Sequence, residues 1–316
     1  MRVDRKKYYW GRLISLYRRG YKKVLKKEAP YHKLNGQKVI TKPSELNHYL
    51  SQMINTDKSF MVGRYGSVEL SAMNSYLDKV MGKTQKYPDR VLNHLYFNAG
   101  FFPVDEDSVD RFAELMIESA AQLDILGLWN NKMELFFAES YSSKTIGAEL
   151  YCLEPYYDLS TSWTHALKGK RVLVVHPFEE TIKEQFLKKE MLFDSEFWPE
   201  CQLITFKAVQ TIAGEKDDRF DTWFSALEYM KDQISQINFD IAILGCGAYG
   251  FPLAAAIKQM GKKAIHLGGA TQLLFGIRAN RWEKSEVSSY FNQFWVRPKT
   301  SEKPTNANKI ENGCYW

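Results

Sequence analysis

The chain is poor in cysteine. Its four, Cys152, Cys201, Cys246 and Cys314, are too widely spaced for a CxxC metal or redox motif. A secreted disulfide framework is therefore not expected. Long apolar runs are lacking too. The longest nearly uncharged stretch, 241–257, holds three glycines and a proline and falls short of the ~18–20 residues a membrane span needs. It reads as strand, turn and helix. The N-terminus is basic without an apolar segment, so a secretory signal is not expected and cytoplasm is the default compartment. HExxH, GxSxG and P-loop lysine signatures are absent, which leaves zinc-protease, serine-hydrolase and P-loop readings unsupported. With 19 Gly and 10 Pro, collagen-like and low-complexity classes are excluded. What remains is 316 residues, 45% hydrophobic, 25% charged and 14% aromatic, the proportions of one large globular domain or two small ones.

The net charge of +6 conceals an asymmetry. Residues 1–40 carry 13 Lys and Arg against 2 Asp and Glu; the other 276 carry 30 against 35. The leader is strongly basic and the body mildly acidic. Tyr9, Trp10, Leu13, Ile14, Leu16, Tyr17, Tyr21, Val24 and Leu25 recur at helical spacings among the charges. Residues 1–27 thus read as an amphipathic helix. It either packs on its own domain through that stripe or lies on an anionic membrane surface, which attracts roughly 1 kcal/mol per basic residue. No basic groove or recognition motif follows residue 40, so no nucleic-acid partner is expected.

Beyond the leader, apolar runs and helical patterns are punctuated by Gly and Pro. Expected strands are 59–64 (SFMVGR), 124–129, 171–175 (RVLVV), 203–206, 239–244 (FDIAIL) and 264–267. Expected helices start at Pro43, at Ser67 as cap, and cover 107–122, 132–141, 179–192, 218–234 and 252–260, with another opening at 271–275. Strand and helix alternate through the second half. The fold class is therefore α/β: a Rossmann-like, mostly parallel sheet with helices on both faces, plus the basic N-terminal helix. The organisation expected is a helical extension at 1–40, a catalytic domain at 41–297 and a polar tail at 298–316. Residues 298–313 are expected to lack regular structure, whereas Tyr315 and Trp316 should dock back on the body, either by the ligand cleft or on any exposed apolar patch.

In open α/β sheets ligands bind beyond the C-terminal strand ends. The first candidate is Arg64, Tyr65, Gly66, Ser67 and Glu69: an arginine for phosphate and a carboxylate for a metal or a proton. The alternative is that Glu69 only complements the helix dipole and pairs with Arg64. The second is Gly245, Gly247, Ala248, Tyr249 and Gly250, which fits G-x-G-x-x-G; a tight turn without ligand is its alternative. No acidic residue ends the next strand, which counts against NAD. The third is His266, Gly268, Gly269, Thr271 and Gln272. His176 and Glu179 form a fourth.

The runs SFMVGRYGSVEL and DIAILGCGAYGFPLAAAIKQMGKKAIHLGG resemble the GT-D type of glycosyltransferase, a bacterial family long catalogued as a domain of unknown function. The resemblance covers roughly residues 43–282. The following ATQLLFGI and the terminal GCYW are similar to a branch found in polysaccharide and capsule gene clusters. It implies a Rossmann-like domain, a nucleotide-diphosphate sugar donor and a glycan acceptor in surface-glycan assembly. An acceptor anchored on lipid would place the chain peripherally at the inner face of the cell membrane, where the basic leader suits it. The family's metal motif is Asp-x-Glu, implying Mn²⁺ or Mg²⁺. Here Glu69 matches the second acid and Ser67 stands in place of the first. Two further readings stay open: a nucleotide- or NAD-dependent sugar-modifying enzyme on the same fold, and an inactive nucleotide-sugar-binding scaffold.

Overall fold

The computed structural model describes residues 3–193, 196–309 and 313–316. Its centre is a seven-stranded sheet in which every pairing is parallel. Ahead of the sheet come helix α1 (Arg5–Leu25), a short hairpin of β1 (Lys33–Leu34) and β2 (Gln37–Lys38), and α2 (Pro43–Asn55). The sheet begins with β3 (Phe60–Gly63), followed by α3 (Ser67–Val80), α4 (Asp89–Ala99) and α5 (Glu106–Ala120). Then come β4 (Ile125–Leu128), α6 (Glu134–Tyr141) and β5 (Ile146–Glu149). The second half runs β6 (Arg171–His176), α7 (Glu179–Phe186), β7 (Gln202–Lys207), α8 (Trp223–Ser235), β8 (Ile241–Leu244), α9 (Gly250–Gln259) and β9 (Lys263–His266).

The strand order is β5-β4-β3-β9-β8-β6-β7. The chain leaving β6 runs outward through α7 to β7, whereas that leaving β8 runs inward through α9 to β9. The two loops diverge, and a crevice opens between them at the C-terminal edge. Inner strands such as β8 (IAIL) are buried on both faces, as parallel strands covered by helices must be. Alternate residues feed two cores. Met61, Leu126, Val175 and Leu244 pack with α3, α5, α8 and α9; Val62, Ile125, Val174 and Ile243 pack with α2 and α7.

Several boundaries differ from expectation. Gly66, not Ser67, is the N-cap of α3. α8 starts at Trp223, because Thr222 and Ser225 form a capping box there. α7 ends at Phe186 and gives way to a short 3₁₀ turn at Lys189–Met191. Residues Gly268–Phe275 form a 3₁₀ segment rather than an α-helix. α4, β5 and the 3₁₀ turns between 150 and 167 were not foreseen. In the tail, 3₁₀ turns form at Thr300–Glu302 and Ala307–Lys309, where no regular structure was expected; residues 310–312 lie outside the described residues. The buried Glu302 accepts the Glu180 and Thr181 amides at the start of α7, completing the first turn of that helix.

Candidate active site

Glycines decide how close the side chains at the C-terminal edge can come. Beyond β3, Gly66 has an ordinary extended φ of −75°. It is glycine for space: a Cβ there would lie 1.8 Å from Glu69 Oε2. The Glu69 carboxylate thus folds back over the first turn of α3, where the helix dipole favours it. Burial pushes its pKa up, and the nearby Arg64 guanidinium opposes that rise. No ion pair within 4 Å joins the two among the described residues, so the simple pairing of Arg64 with Glu69 is not observed. Arg64 instead lies over the Trp129 ring, 5.3 Å from its centroid.

β6 and β9 each end on a buried histidine, His176 and His266. Burial lowers His176 to about 3, so its ring is neutral. Its Nδ1 accepts the Phe178 amide at 3.0 Å, which leaves the proton on Nε2 as a donor. His266 is likewise lowered to about 3, by burial and then by Arg64. Its Nδ1 is buried without a hydrogen-bond partner. Gly245 and Gly250 make room for these rings: a Cβ at 245 would be 2.5 Å from His176 Cδ2, and one at 250 would be 2.4 Å from His266 Nδ1. The glycines of the G-x-G-x-x-G run therefore accommodate protein side chains. Gly247 differs: its φ is +58° and nothing lies within 4 Å of its Cβ direction.

Arg64, Glu69, His176, Gly247, His266 and Gln272 line one cleft, together with Gly66, Ser67, Gly245, Ala248, Tyr249 and Gly269. It holds about 1140 Å³ of space, part of it open to solvent. Four predicted strand ends thus meet in one place. Other predicted residues do not reach the lining. Tyr65 turns into the core against Phe251. Glu179 faces β7, where burial opposes its charge but Lys183 and Thr205 hold its pKa below the usual value. Thr271 is spent on the Leu244 carbonyl. Gly268 and Gly250 lie behind Arg64 and His266.

Sequence reasoning missed Trp129, Thr211 and Arg281, which also line the cleft. Tyr315 and Trp316 line it as well, as the docking expectation for the chain end proposed. Arg281 donates to the Tyr315 hydroxyl at 2.6 Å. Glu154 was missed too. It feels both Arg64 and Arg281, yet burial lifts its carboxyl to about 7 against them and against the Tyr156 hydroxyl that donates to it. Arg281 and Glu154 sit in 3₁₀ or irregular segments with no periodic pattern to mark them. Burial pushes the Cys246 thiol up to about 12, so it offers no thiolate nucleophile.

The donor set does not fit a metal held by the protein. Among the described residues lining the cleft Glu69 is the one acid, and burial disfavours its charged form. The described residues contain no group of three or more His, Cys, Asp or Glu that could hold a metal ion. What the cleft does present to an anion is two arginines, the amide ends of α3 and the Gly247 loop, and a neutral histidine donor. No family model matches this chain, and neither a curated protein nor a solved structure matches it.

Proposed function

We propose that the chain is a nucleotide-sugar-dependent glycosyltransferase. The observation that carries this reading is the convergence of Arg64, Arg281 and the open Gly247 loop in one cleft at a parallel-sheet edge. A nucleotide diphosphate leaving group gains charge as its bond to the sugar breaks, and preorganised guanidinium and amide donors stabilise that charge. Trp129 and Tyr315 offer rings for a base or a sugar. Glu69 takes the proton that the acceptor hydroxyl loses as its oxygen bonds to the anomeric carbon; the electron pair of the breaking C–O bond leaves with the diphosphate. No step passes through a metal ion. The resemblance to the GT-D family points the same way and supplies the acceptor class, a glycan of bacterial polysaccharide or glycoconjugate assembly.

The test is single-turnover release of nucleoside diphosphate from a panel of UDP- and GDP-sugars, with and without Mn²⁺. Release by the wild type and loss in Arg64→Ala supports the reading. Donor binding without release marks a binding scaffold. Tight NAD(H) binding without nucleotide-sugar binding marks the sugar-modifying alternative.

A further inference from the structure

Helix α1 has two unlike sides. Tyr8 and Gly11 dock it on the body: the Tyr8 hydroxyl donates to Asp78, and a Cβ at Gly11 would stand 2.7 Å from Phe136 Cβ. Arg18 pins it further through Asn130 and the Pro30 carbonyl. The apolar stripe expected to make this contact points the other way. Trp10, Leu13 and Tyr17 are 62%, 55% and 65% exposed, and Val24 lies on the same line. Among the described residues, seven of the fourteen exposed large hydrophobics belong to this one helix. A patch of that kind on a soluble surface marks an interaction site.

The charge around the stripe identifies the occupant. α1 carries eight Lys and Arg and no acidic residue. At 100° per residue, Arg5, Arg12, Arg19 and Lys23 fall on one flank, between the docked side and the exposed stripe. Lys132 and Lys83 join that flank from the body. Lys132 is exposed, yet partial desolvation with the charges of Arg12, Arg19 and Lys83 depresses its pKa against the pull of Asp78. Lys83 stands over the rings of Tyr8 and Tyr9 at 4.5 and 4.6 Å. Cations crowded this way gain from an anionic neighbour, and the apolar stripe beside them gains from a hydrocarbon one.

We propose that the outer face of α1 docks on an anionic lipid bilayer, with Trp10, Leu13, Tyr17 and Val24 entering the headgroup–acyl boundary and Arg19, Lys83 and Lys132 meeting the lipid phosphates, while Arg12 stays paired with Asp78 at 3.4 Å. This is a helix lying in the interface, not a span; no helix among the described residues is long and apolar enough to cross a membrane. The proposal stands independently of the transferase reading.

Deleting α1 would expose the Tyr8 and Phe136 packing, so surface substitutions make the cleaner test. The full chain is floated with vesicles of phosphatidylcholine alone and of phosphatidylcholine with phosphatidylglycerol. One variant replaces Trp10, Leu13 and Tyr17 by Gln and keeps the charge; another replaces Arg19, Lys83 and Lys132 by Gln and keeps the stripe. The wild type should bind only the anionic vesicles, and salt should weaken it. Each variant should lose about tenfold or more in partitioning, with melting unchanged. Wild type that stays unbound on anionic vesicles overturns the proposal, as does a stripe variant that binds equally well. A dimer that dissociates in the stripe variant also overturns it, because a second copy then covers the face. If a variant misfolds, quenching of wild-type tryptophan fluorescence by brominated acyl chains decides: quenching supports insertion and its absence refutes it.

Discussion

The guanidinium of Arg64 lies against the α-carbon of Gly268: a Cβ at 268 would stand 2.1 Å from Nη2 and 2.8 Å from Cζ. No such approach is tolerated, so any side chain at 268 must move the arginine. The backbone there is also left-handed, φ +63°, which costs an L-residue about 1 kcal/mol. Gly268→Ala should raise the donor KM about tenfold and lower the melting temperature by a few degrees. Gly261→Ala is the control. Its φ is +78° with nothing within 4 Å, so it should lower melting alike and leave KM unchanged. Equal KM effects in the two variants would show that strain, not Arg64, is responsible.

The placement of Glu69 makes a pH prediction. A general base works in its ionised form, and burial holds this carboxyl above the ordinary range. The rate should therefore fall as pH drops through that raised pKa, while the wild type is still folded. Glu69→Gln should lose most activity and abolish the acidic limb of kcat/KM. A variant that keeps the same limb assigns it to another group, with Glu154, at about 7, the first candidate.

These residues show what the sequence makes legible. Short apolar runs ending in glycine or charge mark most of the sheet's strands, because a parallel strand buried on both faces must be apolar throughout. β3, β6 and β8 were found this way, and with them the positions of Arg64, His176 and Gly245. β5 escaped because IGAE is short and has only one large apolar side chain. The glycines were visible but their reason was not. Gly245 and Gly250 look like room for a ligand phosphate, and only the fold shows that His176 and His266 take that room. Arg281 and Glu154 reach the cleft region by long-range packing, which no local spacing encodes.

Metal dependence follows from the donor set. With Ser67 in place of an acid, and a lone carboxylate whose charge burial disfavours, EDTA should leave wild-type turnover largely intact. Ser67 is exposed at the first turn of α3, so Ser67→Asp adds a carboxylate without disturbing packing. That variant should gain activation by Mn²⁺. Abolition of wild-type activity by EDTA, restored by Mn²⁺, would refute the argument.

Glu134 predicts a stability trend away from the cleft. It is buried, and burial lifts its carboxyl to about 7 although Tyr31 and the Trp129 amide donate to it. A raised carboxyl contributes stability that is present below its unfolded pKa and lost as pH rises through the folded value. The loss between about pH 4.5 and 7 is on the order of 3 kcal/mol. Glu134→Gln keeps an acceptor for both donors and removes the titration. It should melt higher than wild type at pH 8 and close to it below the unfolded carboxylate pKa. Identical pH profiles in denaturant unfolding would dismiss Glu134 as the source.

Tyr315 connects the end of the chain to the cleft. Its ring packs where a Cβ of Gly269 would stand, 2.6 Å from Cε1, and its hydroxyl accepts from Arg281. Arg297 donates to the Trp316 carbonyl, and Trp316 packs edge-on to Phe178 beside His176. Two roles can be separated. Burying such a ring is worth on the order of 2–3 kcal/mol, so Tyr315→Ala should lower the melting temperature whatever else it does. Tyr315→Phe keeps the ring and removes the hydroxyl that accepts from Arg281. If the tyrosine positions that arginine for the diphosphate, Tyr315→Phe should raise the donor KM severalfold with melting nearly unchanged, and Arg281→Ala should raise it at least as much. The double variant should then add little to Arg281→Ala, because both changes remove one interaction. Full additivity of the two, or an unchanged KM in Tyr315→Phe, would leave Tyr315 a packing residue that closes the wall of the cleft without steering its charge.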